Sequence, residues 1–97
     1  MASIRDLKKD VDYLVSMVLV DCFQYTNYFE NADKEGAYKI VEDLMAKHSD
    51  LRKRINHPDG KDNPKLIKQH YRKIGEDLLA VCDHAYAELA QLIEKKA

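Results

Sequence analysis

One stretch, residues 4 to 29, carries two apolar seams at helical spacing, and no other feature of the chain restricts its fold as tightly. At about 100° per residue, Ile4, Leu7, Val11, Leu14, Val15, Val18, Cys22, Tyr25 and Phe29 fall within one stripe roughly 100° wide, the pattern of a core-facing helix. Tyr13, Met17, Val20, Gln24 and Tyr28 lie on roughly the opposite side, at the spacing of a contact seam between helices. Leu19 and Phe23 bridge the two, so the helix from Leu14 to Val20 is apolar nearly all round except at Ser16. A segment of that kind is expected to be covered on more than one side. The uninterrupted apolar run is far shorter than the roughly 18 residues of a membrane span, and Asp10, Asp12 and Asp21 bracket it.

Composition agrees with one ordered helical domain. The 97 residues are 45% apolar and 34% charged with three glycines and two prolines, a balance foreign to disordered and all-β chains. A domain this small gains much from association with another copy. The start of the sequence has no basic region followed by an apolar run, which argues against a secretory signal and for a cytoplasmic protein. Cys22 and Cys82 both fall on apolar stripes and are expected to be reduced, buried thiols. A net charge of −1 provides no general attraction to nucleic acid or membrane.

Three helices are expected, at about 4–30, 33–56 and 64–95. Ser3 is a suitable N-cap for the first, and Asp33 and Glu35 suit the positive end of the second. The second helix places Ala37, Ile40, Val41, Leu44, Met45, His48, Leu51 and Ile55 on one face and ends in Arg52, Lys53 and Arg54. The polar loop from Asn56 to Asp62 has Pro58, Asp59 and Gly60 placed for a turn, and Asn63 with Pro64 marks a helix start. The third helix carries Ile67, Tyr71, Ile74, Leu78, Val81, Cys82, Ala85, Leu89, Leu92 and Ile93, with Gly75 inside the pattern as a mark of a close helix contact or a bend. Short connections then give an all-α, up-down-up three-helix bundle with long helices, open to completion by dimerisation.

Chemistry-bearing patterns are sparse. His48, His57, His70 and His84 lack the Glu-x-x-His spacing of bundle metal sites, so neither a metal nor a cofactor is expected, and His48 is expected to be satisfied by Tyr71 or Asp10. Cys22 and Cys82 each stand about 27 Å from their helix starts, at one level of the bundle, but no cation accompanies them to activate a thiolate. Between Leu51 and Lys73 the chain carries a net charge of +6. Arg52, Arg54, Lys61, Lys65, Lys68 and Arg72 are the candidate anion-contacting residues of that end, although without interleaved aromatics they make a poor nucleic-acid footprint.

Three resemblances attach to particular residues. His57-Pro58-Asp59 between two helices resembles the signature loop of J-domain co-chaperones, with Tyr71, Ile74 and Leu78 at comparable apolar positions in the following helix. It covers about the middle third of the chain, and helix 1 lacks that family's Tyr-rich opening motif. Arg52 and His57 are spaced similarly to the ribonuclease motif of HEPN domains, which implies phosphodiester cleavage, but the residue that follows the arginine is another cation, Lys53. The run from Ile4 to Asp10, together with that from Arg54 to Lys65, resembles a family of small uncharacterised bacterial all-helical proteins and implies no activity.

The expectation is a non-enzymatic cytoplasmic bundle that acts through protein contact, forming a homodimer along Tyr13, Met17, Val20, Gln24 and Tyr28. A J-domain-like co-chaperone using His57, Pro58 and Asp59 is one alternative. A HEPN-like ribonuclease or nucleic-acid-binding domain using Arg52, His57 and the basic end is the other.

Overall fold

A computed structural model describes residues 4–57 and 63–96. The expected Ser3 cap and the turn at Pro58, Asp59 and Gly60, with Lys61, lie outside the described residues. Three helices, α1 (Ile4–Tyr28), α2 (Lys34–Asn56) and α3 (Pro64–Lys96), pack into a bundle measuring 54 × 19 × 18 Å. The 33 residues of α3 rise about 50 Å at 1.5 Å each, so this helix alone spans nearly the whole length.

Contacts between levels give the topology. Asp12 meets His48 and Arg52, while Tyr25 meets Asp33, so α1 and α2 run antiparallel. Arg54 meets Asp77 near one end of the α2–α3 pair and Gly36 lies against Leu92 near the other, so α3 reverses direction again. The up-down-up arrangement follows, with α1 and α3 parallel.

The core is formed by one stripe from each helix. Val11, Val15, Val18, Cys22 and Tyr25 come from α1; Ala37, Ile40, Leu44, Leu51 and Ile55 from α2; Ile74, Leu78, Cys82, Ala85 and Leu89 from α3. Burying each large aliphatic side chain contributes about 1.5–3 kcal/mol. Among the described residues no polar or charged side chain is buried.

Three expected core positions are corrected. Phe29 is exposed because α1 ends at Tyr28, after which the helical period no longer aims the ring inward; it packs on Tyr25 at 5.4 Å instead. Ile4 is exposed at the first residue of α1, and Met45 lies at the rim of the α1–α2 groove. Gly75 marks no close contact: a methyl group added there would meet nothing within 4 Å.

The helix ends are closed by side chains. Asp33 caps α2, its carboxylate accepting the Gly36 N–H at 2.8 Å, while the Asp33 N–H donates to the Tyr25 hydroxyl at 2.7 Å. That tight start is why Gly36 is needed: an added methyl group would lie 2.7 Å from the Asp33 carboxylate and 2.9 Å from Leu92. Asn63 caps α3 through the Lys65 N–H at 3.0 Å. At the far end of α2, the His70 ring donates to the Arg54 carbonyl at 2.6 Å and the Tyr71 hydroxyl to the Ile55 carbonyl at 3.1 Å. Two neighbouring residues of α3 thereby satisfy carbonyls that the end of a helix leaves open.

Candidate functional site

The outer side of α1 is where the side chains depart most from an ordinary surface. Burial of the Val11-to-Tyr25 stripe fixes the rotation of the helix, and the second seam is then turned outward. Tyr13 is 64% exposed, Met17 44%, Val20 51% and Tyr28 78%, with Gln24 exposed among them and Phe23 extending the strip on one flank. Leu14 and Leu19, on the flanks, are partly covered by the neighbouring helices. The expected covering on more than one side thus reaches the flanks and stops short of the outer strip, since a three-helix bundle places no fourth helix there.

Charge has been cleared from this strip. Asp12 and Asp21 are the only charged residues between Val11 and Phe29, and each leans toward a neighbouring helix. The Asp12 carboxylate accepts from the His48 ring at 2.8 Å and from Arg52 at 3.1 Å, bonds to α2 that replace the expected Asp10 or Tyr71 partner of His48. His48 stands at the level of Asp12, one helical turn from Arg52, whereas the Tyr71 hydroxyl is committed to Ile55. Asp21 accepts a hydrogen bond from the Tyr86 hydroxyl of α3. Burial first, then that bond and the Asp21 charge, push the Tyr86 pKa up to about 12. Ser16, the one serine between them, donates to the Asp12 carbonyl at 2.6 Å and so spends its proton within the helix.

Two shallow grooves flank the strip. One, of about 410 Å³, runs between the last turns of α1 and α3, with Gln24, Tyr28, Tyr86, Leu89 and Ile93 on its walls. The other, about 370 Å³, lies between α1 and α2 beside Leu19, Met45, His48 and Arg52.

The basic end is more neutralised than its sequence suggests. Arg52 is held by Asp12, and Arg54 pairs at 2.8 Å with Asp77, which Lys73 also approaches at 3.3 Å. Burial opposes ionisation of Asp77, but the hydrogen bonds and charges of Arg54 and Lys73 prevail and hold its carboxyl below the usual range. Lys65, Lys68 and Arg72 are exposed along the first turns of α3, and Lys61 lies outside the described residues. His57 is an exposed residue whose N–H donates to the Lys53 carbonyl, closing α2, while Arg52 is engaged with α1; the geometry does not bring the two together.

Cys22 and Cys82 are both buried and free. Burial, aided by Asp21 and Asp83 respectively, pushes each thiol up, away from the thiolate. Among the described residues no group of three or more His, Cys, Asp and Glu side chains could hold a metal ion, and no helix is long and apolar enough to cross a membrane. No protein-family model, curated protein or solved structure matches the chain.

What sequence reasoning missed is the role of the flank residues. In the sequence Asp12 and Asp21 only bracket the apolar run, yet they join α1 to its neighbours at the edges of the strip. Their nine-residue separation is a usable signal: at about 100° per residue it sets the two acids on opposite edges of one face.

Proposed function

We propose that the protein is a non-enzymatic cytoplasmic contact module that pairs with a second copy of itself through the outer strip of α1. One observation carries this reading: a continuous exposed strip from Tyr13 to Tyr28 without a charged residue, on a chain one-third charged. Scattered apolar residues are common on protein surfaces, but a contiguous apolar patch flanked by polar groups marks an interaction site. The exposed tyrosines and methionine belong to the residue types enriched in such interfaces. Cys22 and Cys82, free and buried, suit a reducing compartment.

Sedimentation tests the reading. The wild type is expected to run as a dimer near 100 μM, the range in which a contact of about −5.5 kcal/mol becomes visible. Met17→Glu with Val20→Glu is expected to shift it to monomer while the helical circular dichroism persists, because a dimer would have to bury the added carboxylates unpaired. A wild type that remains monomeric at that concentration removes the reading.

A further inference from the structure

We propose that the two copies pair antiparallel, about a two-fold axis passing beside Val20; this rests on the self-association reading and specifies its partner and register. Reversing α1 about the midpoint between positions 20 and 21 returns the seam nearly onto itself. Tyr13 comes opposite the partner's Tyr28, Met17 opposite the partner's Gln24, and Val20 beside its own copy. A two-fold interface requires this self-complementarity, in which residue i meets j and j meets i.

Charge selects the same direction. From Ile4 to Asp10 the chain carries Arg5, Lys8 and Lys9 against two acids, whereas from Val11 to Glu30 every charge is negative: Asp12, Asp21 and Glu30. A parallel pair would set these unlike halves like against like. The antiparallel pair sets the basic start of one helix just past the acidic end of the other, with exposed Lys9 about two residues' rise from the level of the partner's Glu30, and opposes the two helix dipoles. Because the gradient lies within α1 itself, a second copy is its natural complement.

The groove between α1 and α3 fits this register. It shares Gln24 and Tyr28 with the strip, and the antiparallel arrangement delivers the partner's Tyr13 to its mouth, beside Tyr86. In a parallel pair Tyr13 would lie far from the groove, about 22 Å along the axis at 1.5 Å per residue from Tyr28.

The test uses Tyr13→Cys and Tyr28→Cys, both at exposed positions, with a short bismaleimide linker and wild type as control for the buried Cys22 and Cys82. Either variant alone is expected to give no covalent dimer, and a co-refolded mixture to give one. A second pair, Met17→Cys with Gln24→Cys, is expected to behave alike and covers any loss of packing at the tyrosines. Self-linking of Tyr13→Cys alone means a parallel pair, which overturns the register while leaving self-association intact. A sedimenting dimer that links in no combination overturns both the register and the use of this face, and a monomer overturns self-association altogether.

Discussion

Val18 and Val20 stand two residues apart on the same helix, one fully buried and the other 51% exposed. The contrast extends along all of α1: Val11, Val15, Val18, Cys22 and Tyr25 are covered by α2 and α3, while Tyr13, Met17, Val20 and Tyr28 meet solvent. Both faces are apolar and both follow helical spacing. The difference shows that periodicity identifies a surface able to pack, whereas coverage depends on how many neighbours the topology supplies. The outer side of α2 is charged instead, with exposed Glu35, Lys39, Glu42, Asp43, Asp50 and Lys53 around exposed Tyr38.

The largest expected effect breaks the comparison at its centre. Val18→Asp places a carboxylate among buried aliphatic side chains with no partner and is expected to cost about 3–5 kcal/mol. Val20→Asp, in protein dilute enough to be monomeric, is expected to stay within about ±0.5 kcal/mol of wild type. Urea denaturation of the two variants side by side reads the difference. Similar losses at both positions would mean that the outer strip is covered within the monomer, which would remove the distinction between the faces.

A smaller effect carries the comparison to residues with no side chain. Gly36 is covered: a methyl group there meets the Asp33 cap and Leu92 at under 3 Å. The Leu92 tip can turn aside, but the carboxylate cannot move without weakening its bond to the Gly36 N–H, a cap worth about 1 kcal/mol. Gly75 is open, and alanine in its place gains up to about 1 kcal/mol of helix preference. Gly36→Ala should therefore lower the melting temperature and Gly75→Ala raise it, each by several degrees for a domain of about 100 residues. A loss at Gly75 would reveal a contact that the bundle does not contain.

These pairs also show how much could be read in advance. Three helices, their order and most of the core were legible because each helix repeats its apolar residues at one angle for five or more turns. The cap at Asn63 was legible because Pro64 follows it. Phe29 was misassigned because nothing in its type signals that the helix has ended one residue earlier. The roles of Gly36 and Gly75 were hidden because what matters at each is a neighbour from another part of the fold, Leu92 or nothing. At the candidate site the strip itself was legible as a seam. Its flanking bonds, Asp12 to α2 and Asp21 to α3, depend on three-dimensional packing and were not.

The subtlest prediction concerns the boundary between the two faces of α1, where Tyr86 holds Asp21. Burial, the hydrogen bond to Asp21, the charge of that carboxylate and then the nearby thiols Cys82 and Cys22 raise the tyrosine from its ordinary value of 10.0 to about 12. A proton held more tightly in the folded chain lends stability that is complete below the unfolded value near 10 and is lost as pH climbs through about 12. Absorbance titration of tyrosinate is expected to show a last step near 12 that belongs to Tyr86. Tyr86→Phe should remove that step, and Asp21→Asn should move it down, since a neutral amide no longer opposes the phenolate. A native chain with no such late step would show that the bond is not made. Asp21 would then lack its partner on α3 and place a charge beside Val20, so this titration also tests whether the outer strip is as free of charge as self-association requires.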